Sequence, residues 1–185
     1  MNPHRLIEQH YSPGTLAHRI LLDHGHAVAK LAEAVAQRLR RNQDVDVTLV
    51  SEAAVLHDIG IGLTNTPRLG CFGSAPYLAH GILGAELLRA AGLPRHALVC
   101  ERHIGVGLSR ADIVRQQLPL PHHDMLPLSL EEQIVAYADL FFSKTVTGAG
   151  GPRSASAVRA KLTRFGADKV AVFNCWHARF ALDRD

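Results

Sequence analysis

A histidine and an aspartate stand next to each other, as His57 and Asp58, directly after an apolar stretch of this 185-residue sequence. Residues 53–56 read Ala-Ala-Val-Leu, so the pair ends a helix that is predicted to be buried. A buried carboxylate is costly unless it is paired or bound to a cation. A divalent metal ion would accept an imidazole nitrogen and a carboxylate oxygen from this one segment. Taken alone, the pair is equally compatible with a buried His–Asp hydrogen bond that caps a helix.

Four more residues of the same two types occur in comparable settings. His24 shares a helical face with Val28 and Ala32, whereas its competitor His26 lies about 200° around the helix and faces away from that stripe. The other three each lie on or at the end of a separate apolar segment. The candidate metal ligands are therefore His24, His57, Asp58, His80, His103 and Asp139.

The chemistry of this set indicates a catalytic metal centre rather than a structural one. It offers imidazole and carboxylate without thiolate, and six residues exceed the four ligands of a structural zinc site. Such ligands suit Fe, Mn, Co, Ni or Zn, and the sequence does not rank these metals. The expected cofactor is therefore a divalent metal ion.

The elements that must position these residues are all predicted to be helices. Apolar residues recur at three- and four-residue steps from Asp23 to Arg41, and Asp46 can cap a second helix that runs to about Asp58. Further helices are predicted over residues 78–91, 94–103, 109–117, 129–144, 154–165 and 168–182. No segment is a convincing strand, so the predicted class is all-α.

Two stretches interrupt this helical pattern. Residues 63–76 hold two prolines and two glycines, and they are predicted to form a long ordered loop that faces the substrate as a lid. Residues 148–152, Gly-Ala-Gly-Gly-Pro, are the only linker-like stretch. We therefore expect one domain over residues 1–185, with a core at 20–145 and a C-terminal helical extension at 152–182.

Composition excludes several classes of protein. The hydrophobic content of 47% is too high for a disordered chain, and the three cysteines form no CxxC pair, which argues against a disulfide framework. No run approaches the ~20 apolar residues that span a bilayer, and the N-terminus lacks the apolar stretch of a signal peptide. The formal charge of +3 is small and the arginines are scattered, which argues against a nucleic-acid partner. The expected location is cytoplasmic, without membrane contact.

The order and spacing of the six residues resemble the HD-domain superfamily of metal-dependent phosphohydrolases, in the subgroup whose motif reads HDIG, here residues 57–60. The resemblance covers roughly residues 20 to 145. It implies an all-helical HD-domain-like bundle with the metal site in its core. His24, His57, Asp58 and Asp139 would hold the first metal. His80 and His103 match the histidines of members with a second metal, and Asp58 would then bridge the two ions.

The resemblance also implies an enzyme, a phosphohydrolase acting on a nucleotide-like phosphomonoester or phosphoanhydride. Among known branches, the chain is similar to bacterial HD-type dinucleoside tetraphosphate hydrolases and to small HDIG proteins without an assigned substrate. Asp58 would be the catalytic residue that orients the attacking hydroxide, and Arg68, Arg102 and Lys144 are candidates for binding the substrate phosphate.

The same ligand set leaves two other functions open. Some HD-fold proteins with these six ligands are mixed-valence diiron oxygenases. A third interpretation is a degenerate HD module that binds a nucleotide or a metal as a sensor. The sequence also departs from its relatives at two places. Ile61 stands where many members have a lysine directly after HDIG, and no GYP tripeptide follows His103, unlike in the HD-GYP phosphodiesterases.

Overall fold

Helices make up most of the computed structural model, which describes residues 1–144 and 151–182. Within those ranges the α-helices are α1 (Pro3–Glu8), α2 (Leu16–Leu39), α3 (Val47–Leu56), α4 (His80–Ala90), α5 (Pro94–Arg102), α6 (Arg110–Arg115), α7 (Leu130–Asp139), α8 (Ala155–Leu162) and α9 (Ala167–Phe180). The predicted all-α bundle, with a His/Asp cluster in its core, is confirmed.

The long helix α2 is the axis of the bundle, packing along α3 on one side and α7 on another. It begins at Leu16 rather than at Asp23, because the Thr15 side chain caps it and the apolar face continues toward the N-terminus. The preceding helix α1 was not predicted. Its six residues are too few to show a helical period, although Asn2 accepts hydrogen bonds from two backbone N–H groups at its start.

The expectation that no strand occurs was wrong in one place. Strand β1 (Asn65–Thr66) pairs antiparallel with β2 (Cys71–Phe72) inside the predicted loop, and a 3₁₀ turn at Pro67–Leu69 connects them. Two-residue strands are too short to show an alternating pattern in the sequence. Gly70, in the left-handed conformation, closes this hairpin against the start of α2. Whether the hairpin acts as a lid stays a prediction.

Close backbone packing fixes the segment after the His57–Asp58 pair. A Cβ atom added to Gly60 would collide with the backbone of His80 and Gly84. A Cβ atom on Gly84 would lie 2.5 Å from Sγ of Cys100. Side chains at either glycine would therefore push α4 away from the residues that follow Asp58. This contact explains why glycine is required in the HDIG motif of this chain.

We expect Gly60→Ala to lower the free energy of unfolding by about 1–3 kcal/mol or more, because the backbone atoms around it cannot yield to a methyl group. Gly151→Ala is the matched control, since a Cβ there meets no atom within 4 Å. Urea denaturation followed by circular dichroism measures both variants. Equal stability of the two variants would contradict the packing argument.

The C-terminal helices α8 and α9 pack into the same core as the preceding helices. Phe173 and Phe180 are fully buried, and Phe173 stacks on Tyr137 of α7 with the ring centroids 5.9 Å apart. The Tyr137 hydroxyl also lies 2.9 Å from Nδ1 of His177. Both helices agree with the sequence prediction to within a few residues, while Gly148, Ala149 and Gly150 of the predicted linker lie outside the described residues.

Asp112 joins α6 to α9 through its carboxylate. Ser109 and Asp112 form the predicted capping box of α6, and the same carboxylate pairs with Lys169 of α9. Burial opposes ionisation, but Lys169 and Ser109 outweigh it and lower the pKa of Asp112 to about 2. The ion pair therefore stabilises the folded chain as long as Asp112 is charged.

Replacing Lys169 with Met should cost about 1 kcal/mol of stability at neutral pH and progressively less in acid. The pKa of Asp112 is lower in the folded than in the unfolded chain. Its contribution is therefore fully present above about pH 4 and is lost as the pH falls toward about 2. Urea titrations of wild type and variant between pH 2 and 7 measure this. A difference between the two proteins that stays constant below pH 4 would contradict it.

Candidate metal centre

The six predicted ligand residues converge at one point in the core. His24 and Asp139 come from α2 and α7, His80 begins α4, and His57 and His103 directly follow α3 and α5. Nε2 of His24 lies 2.9 Å from Oδ1 of Asp139, and Nε2 of His80 lies 3.2 Å from Nε2 of His103. Helices that are far apart in sequence therefore contribute one cluster of nitrogen and oxygen atoms.

Asp58 stands at the centre of this cluster, with its two carboxylate oxygens facing different histidines. Oδ2 lies 3.3 Å from Nε2 of His24 and 3.2 Å from Nε2 of His57. Oδ1 lies 3.2 Å from Nε2 of His80 and 3.5 Å from Nε2 of His103. Each oxygen thus belongs to its own pair of imidazoles.

Backbone carbonyls fix the orientation of three of the four histidines. Nδ1 of His57, His80 and His103 lies 2.7, 2.6 and 2.7 Å from the carbonyl oxygen three residues earlier, in each case at hydrogen-bond distance. When the imidazole is neutral, donation of the Nδ1 proton to this carbonyl leaves a lone pair on Nε2, which points into the cluster. Such hydrogen bonds to backbone carbonyls orient histidine side chains for metal binding.

The donor atoms satisfy the requirements of a metal better than they satisfy one another. Nε2 of His24, Nε2 of His57 and Oδ1 of Asp58 are buried close together without forming well-oriented hydrogen bonds, and Oδ2 of Asp58 is compensated by the ammonium group of Lys144. Such orphaned groups are costly unless a cation compensates them. Two sets of three residues have donor atoms that all lie within 4.8 Å of one another inside the set. These sets are His24–His57–Asp139 and His57–Asp58–His103. The cluster therefore fits a divalent metal.

Burial and neighbouring charges shift the pKa values of the histidines in opposite directions. Burial opposes protonation of His57, but the carboxylates of Asp58 and Asp139 raise its pKa to about 10. Burial lowers the pKa of His103 to about 4. Burial would likewise raise the pKa of Asp58, yet His57 and Lys144 hold it well below its usual range. A metal ligand must be a neutral imidazole, so protonation of His57 and binding of a metal there would compete.

Among the described residues, Lys144 supplies the lysine or arginine charge nearest to the carboxylate of Asp58. Its Nζ lies 2.7 Å from Oδ2 of Asp58 and 5.8 Å from the centroid of the Tyr77 ring. Ile61, which replaces the lysine found after HDIG in many relatives, is fully buried. In this chain the cation beside Asp58 is therefore Lys144, which follows α7, and not a residue next to the HDIG motif.

The other two candidate phosphate ligands lie in different surroundings. Arg102 is paired with Glu132 at 3.0 Å, and Arg68 is exposed in the turn of the β-hairpin. Their binding of substrate stays a prediction. His26 lies on the surface against His4, at 3.2 Å between the Nε2 atoms, which confirms that it faces away from the cluster.

Two tyrosines that the sequence did not single out support the site. The Tyr11 hydroxyl donates to the carbonyl of Ile59 and accepts from the N–H of Gly62, both at 2.6 Å, and so fixes the turn after Asp58. Tyr77 stacks on His80 with the ring centroids 4.7 Å apart. Tyr77 could have been found from the sequence, because it lies three residues before His80, the first residue of α4. No local pattern indicates Tyr11, because its partners lie about fifty residues away in the sequence.

A helical core that buries a His/Asp cluster of this kind is typical of one class of protein. The family model named HD domain matches residues 21–142 of the chain. The chain belongs to the HD domain family. An uncharacterized protein of Methanocaldococcus jannaschii is 38% identical over 130 residues, which cover 68% of this chain and 69% of that protein.

Two annotated relatives are longer proteins. They are the tRNA (cytidine(56)-2'-O)-methyltransferases of Thermoplasma volcanium and Picrophilus torridus, with 35% and 34% identity over 66% and 65% of this chain. The matched segments make up 32% and 30% of those enzymes, so this chain corresponds to about a third of their length.

Solved structures show the same fold. The HD domain of the L. monocytogenes phosphodiesterase PgpH superposes with a TM-score of 0.53 at 16% identity, covering 94% of both chains. The same domain in complex with cyclic-di-AMP gives a TM-score of 0.51 at 14% identity, covering 99% of both chains. Among the described residues, no helix combines the length and apolarity needed to cross a membrane.

Replacing Lys144 with Met should destabilise the metal-free protein by roughly 3 kcal/mol, because the buried carboxylate of Asp58 loses its nearest cation. Added divalent metal should restore most of that stability, because it supplies the missing positive charge. Thermal melts with and without metal measure both effects. Lys30→Met, on the exposed face of α2, is the control, and an equal loss in the two variants would contradict this role of Lys144.

Proposed function

We propose that this protein is a metal-dependent phosphohydrolase with a dinuclear centre, acting on a nucleotide-like phosphomonoester or phosphoanhydride. The proposal rests on the placement of the Asp58 carboxylate, whose two oxygens face different pairs of histidines. A carboxylate placed in this way suits a bridge between two metal ions. His24, His57 and Asp139 would complete one site, and His80 and His103 the other.

Divalent ions in these sites would supply Lewis acidity at the phosphate and lower the pKa of a coordinated water. The chain itself contributes orientation and charge. Asp58 is the catalytic residue, and its buried carboxylate would orient the attacking nucleophile. The carbonyl groups that hold His57, His80 and His103 keep their Nε2 atoms pointing inward, so that little reorganisation is needed during the reaction.

Phosphate would reach the centre from the side of Asp139 and Lys144. Their side chains are 17% and 13% exposed, whereas the side chains of His57 and Asp58 are fully buried. Substrate therefore meets a lysine at the open side of the cluster. We propose that Lys144 binds a phosphate oxygen and offsets the charge that develops there. Arg68 and Arg102 are proposed as further phosphate ligands at a greater distance.

The substrate class is proposed from the relatives. The PgpH domain was crystallised with cyclic-di-AMP, and the sequence resembles dinucleoside tetraphosphate hydrolases. A screen should therefore include nucleoside monophosphates, dinucleoside polyphosphates and cyclic dinucleotides, each tested with Mn and Fe. We expect release of phosphate or of a nucleotide from at least one of these classes.

Metal stoichiometry tests the dinuclear centre directly. We expect about two metal ions in the wild type, about one in His80→Ala and His103→Ala, and none in Asp58→Ala, because only Asp58 serves both sites. Elemental analysis of protein purified without added metal, together with phosphatase activity, measures this. All three variants should lose activity. His26→Ala, on the same helix as His24, is the control and should keep both metal and activity.

Full metal content in Asp58→Ala or His57→Ala would overturn the proposed centre. A mixed-valence iron pair that consumes O₂ would instead decide for the alternative function, a diiron oxygenase. Such a pair should give an electron paramagnetic resonance signal in iron-loaded protein. Its absence, together with phosphate release, supports the hydrolase.

A further inference from the structure

A second cavity, of about 1050 Å³ and open to solvent, lies where the C-terminal end of α2 meets α8 and α9. Polar side chains line most of it, among them Arg38, Arg41, Ser154, Ser156, Arg159 and Arg179. Arg38 follows His24 by fourteen residues on the same helix, which places the two roughly 21 Å apart along its axis. The cavity is therefore separate from the metal centre.

The charged side chains that line this cavity are all positive. Four arginines line it, and none of the lining residues in the described part of the chain is an aspartate or glutamate. Elsewhere, arginines such as Arg89 and Arg95 are paired with carboxylates. Within residues 1–144 and 151–182, none of these four arginines forms an ion pair with a carboxylate, although the whole sequence carries a formal charge of only +3.

Neutral groups hold three of these four arginines in place without neutralising their charge. Arg38 donates to the carbonyl of Arg179, and Arg179 donates to the side-chain oxygen of Gln43. Arg159 donates to Oδ1 of Asn174 at 2.8 Å. Nε of Arg38 is buried and has no hydrogen-bond partner among the described residues, so Nη2, through the carbonyl of Arg179, fixes this side chain. Pre-oriented guanidinium groups that keep free donors are suited to bind phosphate oxygens.

We propose that this cavity binds a small polyphosphate anion, such as the phosphate chain of a nucleotide, as a second site apart from the metal centre. The hydroxyl groups of Ser154 and Ser156, at the start of α8, would add neutral donors beside the arginines. The concave shape favours a compact anion. A polynucleotide would be expected to follow a longer basic stripe along the surface.

Titration calorimetry with sodium tripolyphosphate tests the proposal on the full-length protein after its metal has been removed by a chelator, so that a loaded metal centre does not contribute. We expect one binding event in the wild type. The double variant Arg41→Ala/Arg159→Ala should weaken it by at least about ten-fold, because two charge-assisted contacts are removed. Arg164→Ala, an exposed arginine of the same C-terminal region that does not line the cavity, should change it by less than about two-fold.

Several outcomes would overturn the proposal. One is the absence of binding to the wild type, and another is equal affinity in the double variant and in Arg164→Ala. Loss of binding only in Lys144→Met would place the anion at the metal centre instead. Structured RNA that binds through the same arginines and is not displaced by tripolyphosphate would show that the partner is a nucleic acid. Circular dichroism of each variant verifies that it is folded.

Discussion

Two carboxylates in the core, the fully buried Asp58 and the partly buried Asp139, are the constraint on which the rest of this structure depends. An unpaired carboxylate in such a place costs several kcal/mol. Four imidazoles and one ammonium group lie within 3.5 Å of the carboxylate oxygens. The bundle can therefore be described as a scaffold that brings five compensating groups to two acids from separate helices.

The packing around the cluster follows from that requirement. Gly60 and Gly84 let α4 approach the turn after Asp58, which brings His80 to its carboxylate. Tyr11 holds the same turn from the other side through two backbone groups. Cys100, whose Sγ lies 2.9 Å from the carbonyl of His57, connects α5 to the end of α3. Each contact joins residues that are close in space but far apart in the sequence. The geometry of the cluster therefore depends on the complete core.

The helical class and the residues of the His/Asp cluster could be predicted from the sequence, because both depend on local patterns. Apolar spacing located α2, and side-chain caps located the starts of α3, α6 and α7. The choice of His24 over His26 followed from the angle between neighbouring residues on a helix, and the structure confirms it.

What the sequence could not provide depends on long-range contacts. The pairing of Arg102 with Glu132 and the contact of Tyr11 with the turn at Gly62 join residues that no local pattern connects. The hairpin at residues 65–72 was missed because its strands are two residues long. The division of the Asp58 oxygens between two histidine pairs is likewise a property of the assembled core.

Lys144 gives the centre a further property, since it occupies the same carboxylate oxygen of Asp58 that a metal ion would share with His24 and His57. A divalent cation that bound there would have to displace the ammonium group of Lys144 from this oxygen. Without a metal, the lysine would stabilise the buried carboxylate, and it would also disfavour cations that bind the cluster weakly. Once displaced, the same side chain is free at the open side of the cluster, where an arriving anion would meet it. One residue can thus serve as a placeholder before loading and as a ligand afterwards.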